Sequence, residues 1–154
     1  MERPLRYHIG RLASADEGEK LRAARAIGRA AAAMSREKAE ELLRRFFWSL
    51  NDESGAVPFG IPEAVGEVLA ARPELQGAFL PILCSLATVE EMSQTGPIER
   101  GVFWALGRVG TAAAECSPAA VRAARVAAES HADAETRRVA AWAAERLTSP
   151  PGSS

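Results

Sequence analysis

The chain has 154 residues, of which 47% are hydrophobic and 25% charged, and its formal net charge is −1. This length and composition predict one globular domain, and the near-neutral charge argues against an overall basic field that would hold nucleic acid. There is no run of about 18 apolar residues and no signal-peptide-like start in MERPLRYHIGR, so we expect a cytoplasmic protein without a membrane span.

Helical periodicity, interrupted by Gly, Pro, Ser and Asp, runs along most of the chain. Side chains suited to helix capping precede several of the apolar segments: Ser14, which can form a capping box with Glu17, then Ser35, Ser117 and Asp133. The predicted helices span 15–33, 35–50, 62–71, 73–87, 97–109, 117–130 and 133–147. Residues 1–14 are predicted to be an N-terminal extension and 148–154 a disordered tail.

One eight-residue pattern occurs four times: AARAIGRA at 23–30, IPEAVGEV at 61–68, VFWALGRV at 102–109 and AAWAAERL at 140–147. Its sixth position holds Gly28, Gly66, Gly107 and Glu145, at separations of 38, 41 and 38, and alanine always stands two positions earlier. The shared positions lie on one helical face. A glycine there allows a neighbouring helix to approach closely, at a cost of about 1 kcal/mol relative to alanine.

A two-helix unit of about 40 residues with this pattern resembles the HEAT repeat, and more closely the HEAT-like repeats named after the phycobilisome lyases. The resemblance covers about 15–147 and implies an all-α fold, a right-handed α-solenoid of about three and a half HEAT-like helical hairpins. The implied units are about 15–50, 51–87, 95–130 and 133–147. An ordinary helical bundle without repeats is the alternative.

A second stripe runs along the opposite face of the repeated helices. It consists of Arg100, Trp104 and Arg108 in the third unit, and Arg138, Trp142 and Arg146 repeat it in the fourth. The equivalent positions are Leu21, Arg25 and Arg29 in the first unit and Phe59, Glu63 and Glu67 in the second. If equivalent helices lie side by side, Glu63 and Glu67 face basic or aromatic residues on both flanks. The stripe is then either an ionic ladder between repeats or a surface that binds an anionic or aromatic partner group.

The segment at 51–61 departs from the repeat, because Pro58, Gly60 and Pro62 break the opening turn of the second unit. The polar residues affected are Asn51, Asp52, Glu53 and Ser54. Three interpretations stay open: they bond the loop's own backbone, they bind a peptide, protein or small ligand, or the carboxylates hold a hard cation or act catalytically. No regular metal-loop spacing supports the third.

Trp48 is expected in the core with Phe46 and Phe47, whereas Trp142 either closes the end of the core or forms a homodimer contact. The two histidines, His8 and His131, have no motif partner and are expected to be surface or capping residues. The two cysteines, Cys84 and Cys116, match no metal spacing, and we expect reduced thiols rather than a disulfide.

No catalytic residue, metal ligand or cofactor is indicated. The predicted function is a non-catalytic scaffold or accessory subunit that binds another protein or peptide, without nucleic acid or membrane partners. The candidate binding residues are Trp48, Asn51, Asp52, Glu53, Ser54, Glu63, Glu67, Arg100, Trp104 and Arg108. The resemblance implies an alternative, a lyase-like accessory or cofactor-handling protein with a small-ligand pocket near residues 48–67. A DNA-glycosylase-like activity ranks third, since net charge and size argue against it.

Overall fold

The computed structural model describes residues 3–50, 59–88 and 96–148, and within these ranges the chain is all-α, without strands. The helices are α1 (Leu5–Arg11), α2 (Glu17–Ala33), α3 (Arg36–Leu50), α4 (Ile61–Ala71), α5 (Gln76–Leu86), α6 (Gly96–Val109), α7 (Thr111–Cys116), α8 (Pro118–Ser130) and α9 (Ala134–Thr148). A single turn of 3₁₀ helix at Pro73–Leu75 precedes α5. None of these helices combines the length and the apolar character required to cross a membrane.

Side-chain caps mark where α2, α3, α8 and α9 begin. Ser35, Ser117 and Asp133 accept hydrogen bonds from the backbone N–H groups of Lys38, Ala120 and Thr136, as predicted. The predicted capping box at Ser14 is wrong, because α2 begins two residues later. Its cap is Asp16, whose Oδ1 accepts from the N–H groups of Gly18 at 2.9 Å and Glu19 at 3.3 Å.

Two short helices were not predicted. The N-terminal extension contains α1, which packs on α2 and has no side-chain cap. The connection after α6 contains α7, which begins after Gly110, whose φ of 85° ends the preceding helix. Both are seven residues or shorter, so they depend on tertiary packing rather than on the periodicity that identifies longer helices.

The four helices that carry the repeated pattern form a row in which α2 packs on α4, α4 on α6, and α6 on α9. Every residue of α4 from Ile61 to Leu69 is buried, which places this helix at the centre of the described structure. The remaining helices border the row, with α8 on α9, α3 on α4 and α1 on α2.

The glycines of the pattern lie where neighbouring helices in the row meet. A Cβ built on Gly66 would lie 2.7 Å from the Cα of Ala105 on α6, and one on Gly28 would lie 2.9 Å from the Cβ of Glu67 on α4. One built on Gly107 would lie 3.0 Å from the Cα of Ala143 on α9. Each glycine therefore has the role predicted for it, a close approach to the next helix of the row.

Both cysteines are free thiols, with Cys84 buried and Cys116 exposed. Burial, assisted by the neighbouring thiol of Cys116, raises the pKa of Cys84 to about 12. The buried thiol therefore stays protonated at neutral pH and is a structural rather than a reactive group.

Candidate binding surface

The predicted binding residues divide into two groups. Asn51, Asp52, Glu53 and Ser54 lie outside the described residues. The others lie on three helices, Trp48 on α3, Glu63 and Glu67 on α4, and Arg100, Trp104 and Arg108 on α6. The prediction for residues 51–54 therefore stays a prediction.

Trp48 lies on the outside of α3, with 72% of its surface exposed. The expectation that it packs in the core is wrong, although Phe46 and Phe47 are buried as predicted. Those two residues extend the buried face formed by Ala39, Leu42 and Leu43, and the next residue turns away from it at helical spacing. A depression of about 450 Å³ at this position is lined by Glu41, Arg44, Arg45, Trp48 and Ser49.

Glu63 is buried rather than displayed, with 3% of its surface exposed. This corrects its place in the candidate binding surface, because a partner cannot reach an enclosed carboxylate. Its Oε2 lies 3.2 Å from Nζ of Lys20 on α2, a side chain that is itself 1% exposed. Lys20 Nζ also donates to Oε1 of Glu17 at 2.9 Å. The charge on Glu63 is thus offset by a buried lysine rather than by one of the predicted arginines.

The environment of Glu63 disfavours its ionised form. Burial raises the pKa of this carboxyl group, and the positive charge of Lys20 opposes the shift without cancelling it. Oε1 has no hydrogen-bond partner among the described residues. A Cβ on Gly101 of α6 would overlap with Oε1, so the missing side chain at this position makes room for the carboxyl group.

Arg100 extends the same network to the next helix of the row. Its Nη2 lies 2.8 Å from Oε1 of Glu17, and its Nη1 lies 3.9 Å from Oδ2 of Asp133. Hydrogen bonds from Thr136 lower the pKa of Asp133, the cap of α9, and Arg100 adds to the effect. A network of charged groups therefore links four helices: it runs from α4 to Lys20 and Glu17 on α2, then to Arg100 on α6 and to the start of α9. Arg100 has a structural role in this network.

Glu67 forms the ion pair that the ladder interpretation predicts. Its Oε1 lies 2.9 Å from Nε of Arg108, and the two side chains are 7% and 43% exposed. The pair lies at a groove of about 330 Å³ between α2, α4 and α6, lined by Arg25, Gly28, Arg29, Ala32, Glu67, Ala71 and Arg108. The carboxylate of Glu67 is therefore already paired and mostly buried, whereas the arginines around it are exposed.

Trp104 and Trp142 stack on each other across α6 and α9, with ring centroids 6.2 Å apart and an interplanar angle of 24°. Trp142 also packs against Gly107, which leaves 36% of the tryptophan exposed. The side chain therefore covers the α6–α9 contact while keeping one edge in solvent. A homodimer contact through this C-terminal unit stays a prediction.

His131 has a partner that sequence reasoning missed. Its Nδ1 accepts a hydrogen bond from the backbone N–H of Asp133 at 2.9 Å, so in the neutral ring Nε2 carries the proton and donates to Glu99. The two residues are 32 positions apart, on α6 and just after α8. Only the folded connection between these helices brings them together, so no local spacing signals the pair.

Among the residues that the structure describes, no group of three or more His, Cys, Asp or Glu side chains is arranged to hold a metal ion. Comparison with protein-family models and with curated proteins finds no match for the chain. Exposed groups that a partner could reach include Trp48 on α3 and Arg25 and Arg29 on α2.

Proposed function

We propose that the chain is a right-handed α-solenoid of HEAT-like helical hairpins that acts in the cytoplasm as a non-catalytic scaffold or accessory subunit for another protein or peptide. The row of α2, α4, α6 and α9, with pattern glycines at each contact, supports the repeat interpretation. In such arrays each unit contacts mainly its neighbours, which leaves long helical surfaces available for partners.

The observation that carries the binding role is the exposure of Trp48. An indole with 72% of its surface in water lies near the end of α3, where it lines one depression together with Arg44 and Arg45. Tryptophan and arginine are the residues that contribute most to binding energy at protein interfaces, in pockets that exclude water. A partner that covers Trp48 would remove a large apolar surface from water.

The test is a quantitative pull-down from the source cell with the wild-type chain and with Trp48→Ala as baits. We expect at least one protein that is recovered with the wild type and reduced about tenfold or more with the variant, since a truncated hot spot costs about 2 kcal/mol or more. Binding of the purified partner, measured by calorimetry, then confirms a direct contact.

Val126→Ala is the matched control, because Val126 on α8 is also exposed, at 62%, and does not line the depression beside Trp48. It should recover the same proteins as the wild type. Identical recovery with all three baits would contradict a scaffold that binds through Trp48.

The depression beside Trp48 also supports the lyase-like or cofactor-handling alternative. Its volume of about 450 Å³ falls within the range of small-molecule sites, about 300–1,000 Å³. Under this alternative the protein purified from its source carries a chromophore that absorbs beyond 300 nm and is lost in Trp48→Ala. A partner that is recovered without any such absorbance favours the scaffold.

A further inference from the structure

The groove between α2, α4 and α6 concentrates positive charge on a protein that is nearly neutral overall. Arg25 and Arg29 lie one helical turn apart on α2, and Arg108 reaches the same groove from α6. The single carboxylate of the groove belongs to Glu67, which pairs with Arg108. Two guanidinium groups therefore remain without a compensating charge, although the whole chain has a net charge of −1.

Neither Arg25 nor Arg29 has an ion pair or side-chain hydrogen bond within the described ranges. The helix cannot supply one, because α2 contains no acidic residue after Glu19. Arginines four positions apart on a helix repel each other and destabilise it slightly. Two arginines in this position cost the free protein stability, and an anion between them would offset that cost.

The rest of the groove favours the approach of an anion. Gly28, Ala32 and Ala71 are small and leave the guanidinium groups accessible. The C-terminal end of α2 would repel an anion through its free carbonyl groups. The guanidinium group of Arg72 occupies these carbonyl groups, since its Nη1 lies 3.0 Å from the carbonyl oxygen of Met34 and 3.4 Å from that of Ala32, while its Nε pairs with Glu74 at 2.9 Å.

We propose that this groove binds an oxyanion, a carboxylate or phosphate group, presented by an acidic segment of a partner protein, with Arg25 and Arg29 as the ligating residues. The inference depends on the proposed protein-binding function and specifies the chemistry of the partner at a site separate from Trp48. Guanidinium groups match the geometry of both oxyanions and can donate two parallel hydrogen bonds to each.

A protein segment fits better than a nucleic-acid backbone. A polynucleotide requires a continuous basic path for its regularly spaced phosphates. Here the basic groove is about 330 Å³ in volume, and the first turn of the same helix carries Glu17 and Glu19. One or two anionic groups are accommodated, whereas a longer polyanion would meet these acids.

The experiment is fluorescence anisotropy with labelled hexaglutamate, a phosphoserine peptide of equal length, and hexaglutamine as the neutral probe. We expect the two anionic peptides to bind, with affinity that falls as salt rises, and hexaglutamine not to bind. In Arg25→Gln/Arg29→Gln the affinity should fall at least about tenfold, because the charge-assisted bonds are lost.

The matched control is Arg122→Gln/Arg125→Gln on α8, which also removes two positive charges, but from another exposed helix face. This variant should bind like the wild type. Circular dichroism melting of each variant establishes that it is folded.

Several outcomes would overturn the proposal: no binding of either anionic peptide, equal losses in the two double variants, or tighter binding of single-stranded DNA than of peptide. Inorganic phosphate that displaces the peptides at equal concentration would assign the groove to a free anion instead.

Trp48→Ala separates the two proposals, because it should leave peptide binding unchanged. A groove that binds hexaglutamate, together with a pull-down that does not depend on Trp48, contradicts the Trp48 contact and keeps the groove.

Discussion

At the residue scale, Lys20 and Glu63 form the most deeply buried pair of charged side chains among the described residues. Removing two charges from water is costly, and their attraction recovers that cost only where hydrogen bonds complete the shells of both groups. Lys20 has two carboxylate partners, Glu63 and Glu17, whereas Oε1 of Glu63 has none among the described residues. The pair therefore specifies how α2 and α4 align more than it stabilises the fold.

The pH dependence of stability follows from the raised pKa of Glu63. In the unfolded chain this carboxyl group titrates near its ordinary value of 4.5, and in the folded state at a higher pH. Between the two values the folded state binds more protons, so the stability contributed by protonated Glu63 is complete below pH 4.5 and declines as pH rises through the folded pKa. We expect the unfolding free energy of Glu63→Gln, relative to wild type, to rise across that window.

Urea unfolding at a series of pH values measures this difference, and its slope is the relevant quantity, because the slope reports how the pKa of Glu63 differs between the folded and unfolded states. A difference that stays flat or falls as pH rises above 4.5 would mean that Glu63 ionises at least as easily when folded as when unfolded.

Close contact between helices is the element-level feature that the pattern glycines provide. We expect Gly66→Ala to destabilise the protein by about 1–3 kcal/mol, because the new methyl group would overlap with Ala105 and overpacking costs more than the helix propensity gained. Gly77→Ala on α5 is the matched control, since a Cβ there meets nothing within 4 Å.

Chemical unfolding of both variants tests this point. Gly77→Ala gains helix propensity without a clash and should be as stable as the wild type, or up to about 1 kcal/mol more stable. Equal effects of the two substitutions would show that the α4–α6 contact can separate at little cost, contrary to the close approach seen at Gly66.

Sequence patterns predicted the features that repeat and missed those that depend on a single contact. The pairing of Glu67 with Arg108 could be predicted, because the two residues occupy equivalent positions in adjacent units. The role of Lys20 could not be predicted. A lysine on an amphipathic helix is normally expected in solvent, and the burial of Lys20 depends on how α2 aligns with α4. Trp48 was misplaced because an apolar cluster at a helix end does not reveal where the buried face stops.

At the scale of the whole molecule, burial is concentrated in the middle of the row. Nine consecutive residues of α4 are buried, whereas α1 has no buried residue. If the units form a solenoid, stability is approximately the sum of unit stabilities and contacts between neighbours, so opening begins at the ends. An ordinary bundle of this size would instead open as one cooperative unit.

Hydrogen exchange followed by mass spectrometry distinguishes the two. We expect the amides of α4 to exchange most slowly, those of α2 and α6 at intermediate rates, and those of α1 and the last turn of α9 fastest. In Gly66→Ala the loss of protection should be largest in α4 and α6, whose contact it disrupts, and smaller in α8, which packs on α9. Uniform protection across α2, α4, α6 and α9, lowered equally in the variant, would favour the bundle. Because exchange reports on neighbouring contacts without a bound partner, this outcome bears on the solenoid alone and leaves the tests at Trp48 and at the arginine groove independent.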